Sequence, residues 1–303
     1  MKMLCLLLAI LLITVQFFSA CGDDTDESKS ELLNLTSDFD EYFSSNKLVC
    51  WQDVAAAYLS KLQVGNYNFL TILEKKETLE DRAGYVITVA LLGRQCNNVI
   101  ANSLEDYKIE IKAVIETDYE NKTVKEIALC FFAMTALNID FNYEAAAKYI
   151  ETLQNDDGGF PVSSEYTSSD VESSAYALNI ITLARRYFSD NCYDSAVIYL
   201  SEKINNNNTL SDIEGKESAV ATALTLNTLI SAKLPLDGEV STALTTAINT
   251  NFKSESNSEL IGYKRYADEV SINREVTGEV FLCFAATAYG NLWTKLFTEN
   301  NAD

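Results

Sequence analysis

The sequence predicts an all-α fold of stacked helix pairs, and three observations carry that prediction. Helix breakers are scarce, with two prolines and 11 glycines in 303 residues. Long Ala- and Leu-rich runs are apolar around most of their circumference, as in helices packed on several sides. One pattern, a short polar lead-in followed by such a helix, returns about every 45 residues. A hydrophobic share of 48% is enough to bury a sizeable core, so disorder along the whole chain is excluded.

Taken in order, residues 1–22 read as a secretory signal peptide, with Lys2, an apolar run from Leu4 to Ile13, and small residues at Ser19, Ala20 and Gly22. The run is too short and wrongly flanked for a stable membrane span. Ordinary cleavage before Asp23 and secretion are favoured. The lesser alternative is a bacterial lipoprotein box, Phe18-Ser19-Ala20-Cys21, with a lipid anchor on Cys21. Residues 23–30 form an acidic segment expected to be mobile, and residues 31–303 are expected to form one domain.

The first helix of that domain is atypical, Trp51 to Leu62. Five copies of the repeat follow, beginning near Arg82, Glu126, Glu172, Glu217 and Glu279, with an insertion placed at Lys253 to Ser258 in the last interval. Between them lie ordinary amphipathic helices at Leu104 to Glu116, Tyr143 to Leu153, Tyr193 to Lys203 and Val240 to Asn251. A single helix pair cannot bury both its faces, so about six pairs must stack, either in an open solenoid or in a closed ring. Closure is favoured because neither terminal inner helix carries an evidently polar outer face. This makes the predicted fold an α/α toroid.

Charge and composition limit the function. Loss of a leader that carries only Lys2 leaves 22 basic against 44 acidic residues, a net of −22, which repels nucleic acid and anionic lipid. The chain has no histidine, which removes Ser/His/Asp and Cys/His nucleophile activation and nearly every catalytic zinc site. Carboxylate acid–base chemistry survives this test. Six cysteines remain after the leader if Cys21 is kept: Cys21, Cys50, Cys96, Cys130, Cys192 and Cys283. They include no Cys-x-x-Cys pair, and disulfides are the favoured reading for a secreted chain, against small buried hydrophobes. Asn34, Asn121 and Asn207 stand in Asn-x-Ser/Thr triplets and are candidate glycosylation sites. Asp156 and Asp157 lack the spacing of an EF-hand loop, and with Gly158-Gly159 they read as a turn, so no metal site is expected.

Gln154 to Phe160, followed by Asp170-Val171-Glu172-Ser173-Ser174-Ala175, resembles the Gln-x3-Gly-x-aromatic turn of the α/α-toroid superfamily of terpenoid cyclases, protein prenyltransferases, thioester domains and cobalamin carriers. The cyclase acid motif has its nearest match at Asp24-Thr25-Asp26-Glu27 in the tail. The prenyltransferase zinc site lacks its histidine, and Gly93-Arg94-Gln95-Cys96 is not the thioester sequence. What remains is a likeness to the cobalamin-binding transcobalamin and intrinsic factor family, carried by Leu59-Ser60-Lys61-Leu62-Gln63-Val64-Gly65, Arg82 to Cys96, Ile127-Ala128-Leu129-Cys130 and Asp170 to Ala175, without that family's β-rich carboxy-terminal domain.

The resemblance implies a non-enzymatic binding protein that requires no cofactor and takes a small ligand, with a corrinoid as the candidate, at the toroid mouth. The amino ends of the inner helices, near Asp53, Glu126, Asp170, Glu172, Glu217 and Thr277, would face that ligand. Glu172 and Glu217 are placed at corresponding repeat positions, where dipole-complementing caps are the favoured reading. The second expectation is an acidic extracellular matrix or mineral-associated protein, whose surface binds cations or a basic partner. A glycan- or lipid-directed enzyme using two carboxylates is the third.

Overall fold

The computed structural model describes residues 42–43, 48–64, 67, 72, 74, 76–95, 104–232, 238–255 and 261–300. They belong to one compact unit, Phe39–Asp303. The leader, the acidic segment, Asn34, Cys21 and Cys96 lie outside the described residues.

Six helices form the inner ring: α1 (Trp51–Leu59), α2 (Leu79–Gln95), α4 (Val124–Leu137), α6 (Val171–Leu183), α8 (Ala219–Ser231) and α10 (Arg274–Tyr289). Each packs on the next and α10 packs on α1, so the ring is closed. The fold is therefore the expected α/α toroid. Outside it run α3 (Leu104–Glu116), α5 (Glu144–Thr152), α7 (Asp190–Glu202) and α9 (Gly238–Asn251), close to their predicted bounds because their apolar faces are one-sided. Helix α1 stops at Leu59, before the predicted Leu62, where Lys61 takes a left-handed backbone at φ 61° and Leu62 N–H bonds back to the Ala57 carbonyl.

The amino ends of the inner helices are built by a repeated device. Phe160, Leu210 and Tyr263 are buried and plug the turn before α6, α8 and α10. Their N–H groups donate to the hydroxyls of Ser174 (2.8 Å), Thr222 (3.0 Å) and Thr277 (2.9 Å). Those hydroxyls in turn donate to the carbonyls of the cap residues Asp170 (2.6 Å), Ser218 (2.7 Å) and Asn273 (2.7 Å). Small hydroxyl residues four positions into a helix are thus required here, since they satisfy groups that the helix end leaves open. Gln154 belongs to the first of these turns, its amide donating at 2.9 Å to the carbonyls of both Gly158 and Cys192. The predicted insertion becomes strand β3 (Lys253–Glu255), paired antiparallel with β4 (Ile261–Tyr263), alongside a shorter pair, β1 (Leu210–Ser211) with β2 (Glu217–Ser218).

The last helix, α11 (Leu292–Asn300), does not sit outside α10. It crosses the carboxy ends of the inner helices, where Asn291 donates to Asn227 (2.9 Å), Thr294 meets Ser231 (3.0 Å) and Asn300 donates to the Thr135 carbonyl (2.8 Å). Its Leu292, Trp293 and Leu296 are buried. Trp293 stacks on Phe132 with centroids 4.5 Å apart and stands 5.7 Å from Trp51, so aromatic rings fill the centre of the ring.

Disulfide staples are corrected: Cys50, Cys130, Cys192 and Cys283 are buried free thiols. Each serves as a small buried side chain, with burial raising the thiols, Cys192 to about 12.

Closure of the ring depends on a glycine. A Cβ on Gly278 would lie 2.4 Å from Cys50 Sγ and 2.9 Å from Asp53 Oδ1, so α10 approaches α1 only without a side chain there. Gly278→Ala is expected to cost about 2 kcal/mol or more in urea unfolding, and adding Cys50→Ala to recover part of it. An unchanged midpoint in the single variant would contradict this packing.

Candidate functional site

Aligning the inner helices by their cap residues, Cys50, Thr78, Thr123, Asp170, Ser218 and Asn273, gives a register that differs from the sequence alignment. The second helical position then holds Gln52, Glu80, Lys125, Glu172, Val220 and Glu275. Glu172 thus corresponds to Glu275, and neither Glu217 nor Glu279 is its counterpart. The sixth position holds Ala56, Gly84, Leu129, Tyr176, Leu224 and Glu279: one carboxyl where five repeats are apolar or aromatic.

These side chains meet at the amino end of the ring. Gln52 donates to Glu279 Oε2 at 3.1 Å. Lys125 pairs with Glu80 at 2.6 Å, and Arg265 reaches Glu172 at 2.8 Å from the loop after β4. A cavity of about 120 Å³ lies on the Glu80–Lys125 side of the cluster, lined by Trp51, Gln52, Glu80, Gly84 and Lys125 and by neither Glu172 nor Glu279. Glu279 is 4% exposed, and among the described residues its second oxygen makes no hydrogen bond. Burial pushes its carboxyl up to about 7; Gln52 and Lys125 oppose this and the Glu172 charge adds to it. Glu172 is raised too, first by burial, with Arg265 pulling it back. The buried Tyr176 hydroxyl is raised by burial and then by the charges of Glu279, Glu172 and Glu80.

The six residues expected at the mouth are placed differently from one another. Glu172 stands in the cluster. Asp53 is buried and accepts from Val49 N–H at 2.9 Å, while burial pushes its carboxyl up to about 6. Glu126 and Thr123 form a reciprocal cap on α4. Asp170 caps α6 by accepting from Ser173 N–H at 2.8 Å. Glu217 turns away to Asn205 and Asn207, both at 2.9 Å, and Thr277 is the hydroxyl lock of α10. Gln52, Glu80, Lys125, Arg265 and the special position of Glu279 were missed. A cap-based register would have exposed the last of these, because Glu279 then interrupts an apolar column. Among the described residues no group of three or more Cys, Asp or Glu side chains is arranged to hold a metal ion, and no helix is long and apolar enough to cross a membrane.

No family model matches the chain, and no curated protein matches it. Solved structures do. One is the unsaturated glucuronyl hydrolase, responsible for the degradation of glycosaminoglycan, from Bacillus sp. GL1, with a TM-score of 0.54 and 11% identity over 87% of this chain and 97% of that one. Another is a UGL variant with dGlcA-Glc-Rha-Glc, with a TM-score of 0.55 and 10% identity over the same shares of the two chains. At such identity the likeness is one of fold.

Four expectations are corrected by this comparison. Kinship with cobalamin carriers is not supported: the two solved structures named above, which share the fold over most of both chains, are of a glucuronyl hydrolase. The non-enzymatic binding protein and the acidic matrix scaffold fall with it, and so does the expectation that the chain is no enzyme. The physical reason concerns the side chains at the mouth. The missing histidine excludes imidazole chemistry only, and two carboxyls with separate environments remain.

Proposed function

We propose that the mouth is the acid–base site of a glycoside hydrolase. The observation that carries this reading is Glu279, a buried carboxyl at a repeat position that is otherwise apolar or aromatic, held by Gln52 and raised to about 7. A buried carboxyl has a cost that packing alone gives no reason to keep. Near neutral pH it holds a proton and acts as the general acid, giving that proton to the glycosidic oxygen as the C–O bond breaks. Glu172, raised by burial but pulled partly back by its ion pair with Arg265, takes a proton from the water whose oxygen bonds to the sugar carbon. Glu80 and Lys125 line the entrance as a pair. The known activity of the structural neighbours supports the reaction class. With the leader at residues 1–22 the enzyme would act outside the cell.

The test is hydrolysis of a panel of 4-nitrophenyl glycosides and of hexasaccharides, read as nitrophenol release and new reducing ends. Activity on at least one substrate, with an alkaline limb near pH 7, is expected. No activity above the Glu279→Gln background on any member would overturn the proposal.

A further inference from the structure

Five large apolar side chains are strongly exposed among the described residues, and three of them stand on successive mouth loops: Tyr166 (51%), Ile213 (52%) and Val270 (99%). Each lies between a turn plug and the cap of the next inner helix, in the loops 161–169, 211–217 and 264–272 that precede the neighbouring helices α6, α8 and α10. The second and third loops are tied to each other, and the third to the helix that the first precedes. Tyr266 of the third donates to Asp212 of the second at 2.6 Å, and Arg265 of the third pairs with Glu172 at the start of α6. The rim is therefore continuous with the carboxylate cluster.

Its charge is equally uniform. Glu165 adjoins Tyr166, Glu214 adjoins Ile213, and Asp268 stands two residues before Val270, all three exposed. Two of the three cations of these loops are paired with carboxylates, Lys216 with Glu214 and Arg265 with Glu172, and Lys264 donates to the Ala267 carbonyl, so acidic residues outnumber the cations. At the mouth, Lys125 is spent on Glu80. Such a surface repels sulfates and uronates. It offers apolar ledges for the C–H faces of sugar rings, and carboxylates that accept from hydroxyls.

We infer that the substrate is an uncharged glycan chain that lies across the rim on Tyr166, Ile213 and Val270 while one glycosidic bond enters the mouth. This rests on the glycoside hydrolase reading and adds the substrate class, in contrast to the glucuronyl substrate named for the structural neighbour.

The test uses the full chain as Glu279→Gln, which binds without turnover, titrated calorimetrically with hexamers of β-1,4-glucose, β-1,4-mannose and β-1,4-N-acetylglucosamine, and with a chondroitin sulfate hexamer. At least one neutral hexamer should bind, and more tightly than the sulfated one. Tyr166→Ala, Ile213→Ser and Val270→Ser together should weaken it about tenfold or more, with Tm within about 1 °C, since exposed side chains contribute little to folding. Equal binding by the triple variant, or preference for the sulfated hexamer, overturns the inference while activity of the wild-type chain on short aryl glycosides leaves the acid–base site standing. Failure of the wild-type chain to cleave any glycoside overturns both.

Discussion

Glu279→Gln is expected to lower kcat for glycoside hydrolysis by about 10²–10⁴-fold while making the protein more stable. The amide keeps the length of the side chain and its contact with Gln52 but has no proton to give a leaving oxygen. It also removes a carboxyl that burial holds at about 7, and with it an electrostatic cost of roughly 3 kcal/mol at alkaline pH. The opposite signs are the diagnostic. A merely structural Glu279 would let activity follow stability, so a variant that is both stabilised and fully active would remove it from the mechanism. Glu172→Gln should also cost activity, and in that variant the acid limb of the pH–rate profile should disappear, because the base no longer titrates.

Stability should fall as pH rises from about 4 to about 7. Asp53 and Glu279 are both raised by burial, to about 6 and about 7, above the ordinary values of about 4 that they regain on unfolding. Between the unfolded and folded values the native chain binds more protons than the unfolded one, so the slope of stability against pH is negative. The contribution is fully present below about 4 and is lost as pH passes the folded values. For the two groups together the loss between pH 5 and pH 8 is on the order of 4 kcal/mol, or about 10 °C in Tm for a chain of this size. Calorimetry at both pH values checks it. The double variant Asp53→Asn, Glu279→Gln should flatten the profile, and an equally steep profile in that variant would place the titrating groups elsewhere.

Much of the ring was legible in the sequence because its cause is local. Scarce breakers, a period near 45 residues and the alternation of all-round with one-sided apolar helices reflect burial on several faces or on one, and α3 was placed at its observed bounds. The turn at Gln154 to Phe160 was legible for the same reason, since its glycines and its aromatic plug act within one loop. The register was not. The sequence alignment took an acidic residue as the start of four of its five repeats, but an acidic residue serves equally as a second-position side chain (Glu172), a reciprocal cap (Glu126), a loop acceptor (Glu217) or a buried carboxyl (Glu279). Those roles differ only in what stands across from them.

By itself the sequence determined an acidic, histidine-free chain of repeated helix pairs that must stack to bury both faces. Tertiary structure alone decided that α10 meets α1 across Gly278, that α11 closes the far end with Trp293, and that Cys50, Cys130, Cys192 and Cys283 stay apart as free thiols. It also brought Gln52, Lys125, Glu172, Arg265 and Glu279 together from across more than 200 residues of chain. The physical reason is range. Helix formation and turns are governed by neighbours a few residues apart, whereas the charge state and partner of a carboxyl depend on whatever the closed ring places within a few ångströms of it.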